Sequence, residues 1–229
     1  MRNKGLGIII FGLLFLTVGN RLFSYDWELG FKTGIMRSKA ELSRDLPGIQ
    51  IGTINEFHIG SFLSFFFIKN QLGFQPEIHY SIKGFNVLEA DFGQEISSKY
   101  KITYIEIPLL ISYKFPLKGK IKPGIVFGPY LGFARKVMEV QTAFGETEKR
   151  RLDDNLEEMD AGFVIGGNIR YRLGHFSIML DARYNLGLAN ISKDIMSVSY
   201  DFTESDTIKT RSMTLSIGVS FNFNNAKEQ

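Results

Sequence analysis

The chain has few of the residues that carry chemistry. None of its 229 residues is a cysteine, which excludes disulfides and thiolate metal sites. Only three histidines are present, and His58, His79 and His175 fall on three separate predicted strands or turns. Beyond residue 18, no apolar run approaches the roughly 20 residues that a transmembrane helix needs. The chain is 44% apolar and long enough for one domain, so another pattern must organise its apolar residues.

The N-terminus has the layout of a secretory signal. Arg2 and Lys4 precede an apolar run over residues 6–18, and a polar stretch with a helix breaker follows it. The run is shorter than a comfortable membrane span. We therefore predict a cleavable signal peptide over residues 1–24 and a mature domain over residues 25–229.

Cleavage is predicted after Ser24, with cleavage after Gly19 and a retained N-terminal anchor as the alternatives. Residues 1–24 hold three of the 27 basic residues and none of the 24 acidic residues. Their removal leaves 24 basic and 24 acidic side chains, so the mature domain has no net charge. A neutral domain lacks the electrostatic footprint of a nucleic-acid-binding protein, and we expect no nucleic-acid partner.

After the signal, apolar and polar residues alternate along the chain. In the segment 71–84, alternate residues from Leu72 to Ile82 are apolar, and the residues between them are polar, charged or glycine. A period of two indicates an extended strand with one apolar and one polar face. Eight such strands are predicted, at residues 27–35, 57–67, 71–84, 104–114, 121–133, 161–172, 176–186 and 212–223.

The connections between these strands alternate in length. The short turns are 69–70, 116–119 and 174–175, and the long loops are about 36–53, 85–99, 135–158 and 188–210. Each strand is long enough to cross a bilayer when tilted, which takes about 9 to 11 residues. An even number of strands with long loops at one end only is typical of outer-membrane barrels. We predict an all-β fold, an eight-stranded antiparallel up-and-down transmembrane β-barrel with both termini in the periplasm and mobile outer loops.

Periodicity alone does not say which strand face is inside. A soluble barrel of the lipocalin kind would bury the apolar face and expose the polar one. Here the small and the charged residues share one face, as a crowded polar lumen requires, so the membrane barrel is the favoured interpretation. Aromatic residues near the periplasmic ends would form an interfacial girdle. The residues expected in this girdle are Trp27, Phe67, Phe74, Phe115, Tyr171, Phe176 and Phe223.

Four prolines fall inside the predicted strands. Pro76, Pro108, Pro123 and Pro129 each remove one hydrogen-bond donor from the strand ladder. A closed barrel has no free edge strand in which a proline is tolerated. We therefore expect β-bulges near these four residues.

Four segments resemble the PorT-like outer-membrane β-barrel domain family: LGFQPEIHYSIKG (72–84), YIEIPLLISYKF (104–115), PGIVFGPYLG (123–132) and DARYNLGLANI (181–191). The resemblance runs from about residue 26 to residue 223. It implies an eight-stranded barrel that is exported through the periplasm into the outer membrane of a Gram-negative envelope, with no assigned catalytic residues. The family's namesake is associated with a protein-secretion and gliding apparatus, so a secretion-associated role is also implied. One departure is that residues follow Phe223, which displaces the usual terminal aromatic residue of such barrels.

Charged residues in the middle of the polar faces predict a network in the lumen. An eight-stranded barrel is only wide enough for side chains to fill, and an unpaired charge in so confined a place is costly. We therefore expect ion pairs that plug the lumen, with Arg170 or Arg183 as the partner of Glu77. The predicted polar network consists of Glu77, His79, Glu106, Arg170, Asp181 and Arg183.

Two arrangements suggest chemistry only weakly. His79 lies two residues from both Glu77 and Ser81, but side chains at this spacing stand about 6 to 7 Å apart, too far for a Ser-His-acid device. The charged loop 145–160 lacks the spacing and glycine of a calcium-binding loop, so a solvated outer loop is favoured over a cation site. We expect no catalytic residue, no cofactor and no bound metal.

The leading hypothesis is a non-enzymatic outer-membrane barrel with a structural, assembly or interaction role. Its expected partners are the outer-membrane lipid bilayer and, through the outer loops, lipopolysaccharide or an envelope protein. A narrow pore or transporter is the first alternative, and eight strands argue against it. An outer-membrane lipid enzyme is a weaker alternative, because no catalytic constellation is evident at either barrel end.

Overall fold

The described structure consists almost wholly of strands. It is a computed structural model that covers residues 26–43, 49–68, 71–91, 94–143, 146–151, 159–191 and 207–223. The predicted signal peptide lies outside these residues. The strands are β1 (Asp26–Leu42), β2 (Ile49–Ile68), β3 (Leu72–Asp91), β4 (Gln94–Lys114), β5 (Ile121–Ala143), β6 (Glu146–Arg151), β7 (Met159–Leu173), β8 (Phe176–Gly187) and β9 (Ile208–Asn222). Among the described residues there is no helix with the length and apolar character of a membrane span.

Eight of these strands close into a ring. Each pairs antiparallel with its neighbours in the ring, and β9 pairs back with β1 from Glu28 opposite Asn222 to Leu42 opposite Ile208. β5 pairs with β7 inside the ring, whereas β6 pairs with the far end of β5. The predicted eight-stranded antiparallel up-and-down barrel is therefore confirmed, and β6 is a short addition to it.

The barrel has two distinct ends. We call the end with the short β2–β3, β4–β5 and β7–β8 connections the turn end, and the opposite end the loop end. The first residues of β1 and the last residues of β9 both lie at the turn end, where Glu28 of β1 pairs with Asn222 of β9. Gly119 and Gly174 supply positive φ angles of 93° and 64° in two of these turns, a conformation that other residues rarely adopt. The short turns at 116–119 and 174–175 lie where the sequence predicts them, and the predicted turn 69–70 lies outside the described residues.

Near the turn end, the apolar faces of the strands point outward. Ile78 and Leu215 are 52% and 58% exposed, whereas the inward-facing Glu77 and Asp181 are 4% and 0% exposed. A soluble barrel of the lipocalin kind would have the reverse arrangement. The exposed aromatic residues of the predicted girdle are Trp27, Phe74, Phe115, Tyr171, Phe176 and Phe223, and Phe67 is half-buried.

At the loop end, three of the four predicted long loops are mostly strand instead. Only six residues separate β1 from β2, where the segment 36–53 was predicted as loop. β3 and β4 occupy nearly all of 85–99, β5 and β6 occupy most of 135–151, and β9 begins inside the predicted loop 188–210. The predicted loop boundaries are therefore wrong, as is the expectation that 135–151 lacks regular structure. The strands project well beyond the length that crossing a membrane requires.

The projecting strand ends form a barrel section of opposite polarity. We call it the upper barrel and the rest of the ring the membrane barrel. The upper barrel consists of residues 36–42, 49–56, 83–91, 94–103, 134–143, 146–151 and 208–212. Its inward residues include the buried Met36, Val87 and Ile102, whereas its outward residues include Arg37 and Lys101. The apolar and polar faces exchange sides at this boundary, which is why the outward apolar pattern ends there although the strands continue.

The four strand prolines lie in an unbroken register, so the bulges expected near them are wrong. Pro76 pairs with Leu109, Pro108 with Tyr130, Pro123 with Ile169 and Pro129 with Phe163. In the described strands, the register shifts lie elsewhere, in β2 and between Thr103 and Tyr104 of β4. A proline removes only its own donor, and its carbonyl still accepts, as Pro123 O does from Phe115 N at 2.9 Å. One lost ladder bond therefore needs no change of register.

Candidate functional site in the barrel lumen

The lumen is narrow, and glycines face it where large side chains cross. A Cβ atom at Gly60 would lie 2.2 Å from the His79 ring, and one at Gly30 would lie 2.3 Å from the Phe62 ring. Both distances are far below a normal van der Waals contact, so neither position accepts a side chain without displacing its neighbour. The small residues on the polar strand faces thus make room for the large charged ones.

A group of charged residues at mid-height forms what we call the central layer: Lys32, Glu77, His79, Asp181 and Arg183. The Glu77 carboxylate accepts two hydrogen bonds from the Arg183 guanidinium, at 2.7 and 2.9 Å. The Lys32 ammonium donates to the same carboxylate at 2.9 Å, and His79 Nε2 lies 2.6 Å from it. A bidentate arginine–carboxylate pair of this kind is among the strongest side-chain interactions and also fixes the orientation of both groups.

Asp181 balances the charge of the central layer. Its Oδ1 atom lies 2.7 Å from Arg183 Nε and 3.8 Å from Lys32 Nζ. Two acids thus face two bases, and the layer is neutral when the imidazole of His79 is neutral. The His58 ring packs edge-on against the His79 ring, with 4.7 Å between their centroids. β1, β2, β3 and β8 all contribute to this region, so it joins both sides of the barrel.

A second group lies nearer the turn end. This turn-end layer consists of Asp26, Glu28, Lys114, Arg170 and Arg172. Lys114 Nζ lies 3.4 Å from Asp26 Oδ2 and 3.9 Å from Glu28 Oε2. Arg170 Nε lies 3.3 Å from Glu28 Oε1, and Arg172 Nη2 lies 3.7 Å from Asp26 Oδ2. Each carboxylate therefore has two basic neighbours.

A third group, the loop-end layer, consists of Lys83, Glu106, Tyr130, Asp160 and Thr210. The Lys83 ammonium contacts Glu106 and lies 3.0 Å from Asp160 Oδ2. The hydroxyls of Tyr130 and Thr210 donate to the same Asp160 oxygen at 3.0 and 3.1 Å. Lys83 Nζ also lies 4.4 Å from the centroid of the Tyr130 ring, within the range of a cation–π interaction. This lysine is thus held by two carboxylates and an aromatic face.

Above the loop-end layer, the interior becomes apolar. The apolar cap consists of Ala40, Phe85, Val87, Tyr100, Ile102, Tyr104, Val137, Ile191 and Ile208. Phe85 stacks on Tyr100 with 5.2 Å between ring centroids. The Tyr104 ring centroid lies 5.4 Å from Lys83 Nζ, so the cap meets the loop-end layer directly. A cavity between the central and loop-end layers has a volume of about 10 Å³, which is room for about one water molecule.

The structure places all six residues of the predicted polar network in the lumen, but in three layers. Glu77, His79, Asp181 and Arg183 lie together in the central layer, Glu106 lies in the loop-end layer, and Arg170 lies in the turn-end layer. Of the two partners expected for Glu77, Arg183 bonds to it. Arg170 pairs with Glu28 instead and reaches the central layer only through Gln75 Oε1, at 3.2 Å.

Several lumen residues are additional to the predicted network: Asp26, Glu28, Lys32, Lys83, Lys114, Asp160 and Arg172. Most of them lie on the same polar strand faces as the predicted residues, so the alternation itself would have identified them. Asp160 precedes the predicted strand 161–172 and falls within the predicted charged loop 145–160. Across the three layers, six basic residues face six acidic ones. The lumen is therefore neutral with neutral histidines.

The weakly suggestive arrangements do not assemble as reactive sites. Ser81 donates its hydroxyl to Glu106 Oε2 at 2.5 Å rather than to His79. His79 Nε2 lies 2.6 Å from Glu77 Oε2, a contact that their spacing along the strand does not predict. Within the described residues, no three histidine or acidic side chains gather as metal ligands. Of the predicted charged loop 145–160, residues 145 and 152–158 lie outside the described residues, and 146–151 form the exposed strand β6.

The closed ring can be compared with known proteins. The family model for the outer membrane protein beta-barrel domain matches residues 20–193. Among solved structures, OprG from Pseudomonas aeruginosa has a TM-score of 0.50 and 12% identity, covering 88% of this chain and 96% of OprG. Neisserial surface protein A has a TM-score of 0.46 and 15% identity, covering 86% and 97%. The outer membrane protease OmpT from Escherichia coli has a TM-score of 0.47 and 9% identity, covering 87% and 98%.

At 12% identity, the likeness to OprG shows the fold alone. A comparison with functionally curated proteins gives no match. The family match, in contrast, spans most of the chain, and the outward apolar face of the ring is the surface that a lipid bilayer requires. The chain is an integral outer-membrane protein and belongs to the outer membrane protein β-barrel domain family.

Proposed function

We propose that the protein is a non-enzymatic outer-membrane barrel that acts as a closed structural or interaction anchor and not as a channel. One observation carries this proposal: three layers of ion pairs and an apolar cap fill the lumen from the turn end to the loop end. We further propose that the loop end faces the outside of the cell, as it does in barrels with short periplasmic turns.

The layers make an open state costly. Removing one partner of a buried ion pair typically destabilises a protein by about 3 to 5 kcal/mol, because the other charge is left uncompensated. A continuous aqueous path would have to separate pairs in all three layers and part the apolar cap as well. The cavity between the layers holds about one water molecule, which is far from a conduit. The pore alternative therefore receives no support from the lumen.

Conductance distinguishes the two functions. We expect the purified full chain, reconstituted in planar phosphatidylcholine bilayers, to show no resolved current steps. As a matched pair, Glu77→Ala removes an inward carboxylate of the central layer, and Glu41→Ala removes an outward one on the same barrel. Steps that appear only with Glu77→Ala would support a lumen closed by ion pairs. Ion-selective steps with the unaltered chain would instead support a pore.

The upper barrel is the surface on which an envelope partner would act. Its outward residues include charged side chains such as Arg37 and Lys101 and polar ones such as Asn86, and they stand on continuous strands, so a partner would meet a preformed surface. The resemblance to the PorT-like family favours a role in protein secretion. The expected result of deleting the gene is loss of exported proteins from the medium with an intact envelope. Unchanged export together with a leaky envelope would favour a purely structural role.

A further inference from the structure

A cluster of basic residues lies on the outer surface of β1 and β9, directly above the apolar band. We call Arg37, Lys39, Lys209 and Arg211 the basic patch. Ile35, the last outward apolar residue of β1, pairs with Leu215, and the next outward pair is Arg37 with Met213. At about 3.4 Å per residue, Arg37 and Lys39 lie about 7 and 14 Å beyond Ile35 along the strand. This height corresponds to lipid headgroups when the apolar band lies in the hydrocarbon core.

The basic patch is not neutralised by the described protein groups around it. Its acidic neighbour is Glu41, whose carboxylate lies 2.6 Å from Arg211 Nη2. Lys39 lies directly opposite Arg211 in the register, and like charges in that position destabilise a strand pair. Within the described residues, no acidic oxygen lies within 4 Å of Lys39 or Arg37, and Arg37 donates instead to the Thr53 hydroxyl at 3.2 Å.

The patch is also held in place. Arg211 donates to the carbonyl oxygens of Gly187 and Thr210 at 2.5 and 3.1 Å, and its side chain is only 15% exposed. The β1–β9 ladder is continuous from Glu28 to Leu42, so the spacing of the basic side chains is set by the backbone. The Arg211 guanidinium is thus fixed in place, and the exposed Lys39 directly opposite it supplies a cation that has no acidic partner among the described residues.

The far side of the barrel shows that this unbalanced charge is local. At a similar height on β4, Lys101 forms an ion pair with Glu56, with 2.5 Å between Nζ and Oε1. That lysine has an acidic partner from the protein itself, whereas Lys39 in the basic patch does not. The difference indicates a site for an external anion on the β1–β9 face and not a uniform ring of charge around the barrel.

We propose that the basic patch binds the phosphate groups of an outer-leaflet glycolipid of the lipopolysaccharide class. The lipid's acyl chains would lie along the apolar band at Ile35, Met213 and Leu215, and its phosphates would lie between Lys39 and Arg211. The phosphate neutralises this like-charged pair, and the adjacent apolar surface selects a lipid-bound phosphate over a free one. This inference rests on the proposed orientation, with the loop end outside, and it adds a specific partner to it.

Refolding in defined vesicles tests the proposal. The full chain is refolded in phosphatidylcholine vesicles alone, with a minor fraction of bis-phosphorylated lipid A, with fully dephosphorylated lipid A, or with inorganic phosphate in solution. The folded fraction is followed across a urea series by its altered migration in unboiled gels. A lipid that binds only the folded state raises the folded-to-unfolded ratio. We expect this rise with bis-phosphorylated lipid A and not in the other three conditions.

Two variants with equal charge change separate the patch from general electrostatics. The double substitution Arg37→Gln with Lys39→Gln alters the patch, whereas Lys149→Gln with Arg150→Gln alters the exposed strand β6. Each basic side chain near an anionic membrane surface contributes a factor of about five in affinity, so the patch variant should lose about 25-fold of the lipid A effect. The β6 variant should keep most of it.

The outcomes that overturn the proposal are specific. An equal response to lipid A in the patch variant and the unaltered chain would exclude this site. Equal stabilisation by dephosphorylated lipid A would exclude phosphate recognition, and stabilisation by inorganic phosphate would indicate an anion site without lipid selectivity. A chain that refolds in all vesicles and ignores lipid A would overturn the site and leave the closed-barrel function intact. A chain that refolds in none would contradict the membrane anchor itself and this site with it.

Discussion

The membrane barrel and the upper barrel are parts of one ring with opposite polarity. In the membrane barrel, charged residues such as Glu77 face inward and apolar residues such as Ile78 face outward. In the upper barrel, on the same strand β3, Val87 faces inward, and Asn86 lies on the outer face. Most of the strands run through the boundary without interruption. The strand backbone therefore continues unchanged where the two faces exchange polarity. Whether lipid or water surrounds each section determines which face is apolar.

This comparison shows how one fold meets two environments. The outer surface of the membrane barrel contacts lipid and is apolar. Its polar side chains can therefore be buried only in the lumen, where they must pair. Outside the upper barrel, the solvent is water, so burying apolar side chains in the interior becomes favourable, as in a soluble barrel. The soluble-barrel interpretation of the alternation is wrong for the membrane barrel and describes the upper barrel correctly.

The largest expected effect of a substitution is the loss of the acid at the centre of the lumen. Glu77→Ala should destabilise the protein by about 3 to 5 kcal/mol, because Lys32 and Arg183 both lose their shared carboxylate. Glu41→Ala removes an exposed carboxylate of the upper barrel and should cost less than about 1 kcal/mol. Urea-dependent refolding into lipid vesicles measures both. Equal costs would mean that the central layer contributes no more than a surface pair.

The second effect concerns the apolar cap. Phe85→Ala removes a buried ring that stacks on Tyr100, and substitutions of this kind cost about 3 to 5 kcal/mol in a packed core. We expect this loss to loosen the upper barrel while the membrane barrel stays folded. Proteolysis of vesicle-embedded protein should then cleave β4 near Lys99 and Lys101, with Gln141→Ala on the exposed outer face as the surface control. A variant whose upper barrel stays resistant would show that the cap is not its core.

The third effect compares the two outer surfaces. Ile78→Arg places a charge toward lipid and should cost about 2 to 4 kcal/mol if the site lies near the bilayer midplane. Gln141→Arg makes the same kind of change on the exposed outer face of the upper barrel, where surface substitutions stay within about 0.5 kcal/mol. The same urea series in vesicles measures the difference. An Ile78→Arg variant that refolds like the unaltered chain would contradict the lipid-facing assignment.

The membrane barrel could be predicted well from the sequence because lipid alone contacts its outer surface. Apolar and polar residues therefore alternate regularly along its strands. The strand faces of residues 71–84 and 212–223, for example, are those observed. The upper barrel was predicted poorly, because a search for outward apolar residues stops where the two faces exchange roles. Phe85 and Val87 continue the strand on the inward face, and the segment 85–99 was assigned to a loop for that reason.

The lumen network was predicted in kind but not in its pairing. The pattern identifies Glu77, Arg170 and Arg183 as inward, and the expectation of paired charges follows from the narrow lumen. Which arginine bonds to Glu77 depends on the relative heights of β3, β7 and β8, and these follow from strand tilt and register. Asp160 was missed because it was counted with the charged loop 145–160, although Met159 and Phe163 already belong to the outward apolar pattern of its strand.

The last two substitutions should change stability least, but they test the orientation of the barrel in the membrane, on which the comparison depends. The chain has no cysteine, so a single introduced thiol can be labelled without background. Lys118→Cys lies in an exposed turn at the turn end, and Glu148→Cys lies on the exposed strand β6 at the loop end. Both substitutions should change stability by less than about 0.5 kcal/mol, because neither side chain packs in the interior.

In intact cells, a membrane-impermeant maleimide should label Glu148→Cys, whereas Lys118→Cys should react only after the outer membrane is disrupted. The reverse pattern would place the upper barrel in the periplasm. Its polar outer face would still meet water there, but the basic patch would then face the inner leaflet and lose its proposed ligand.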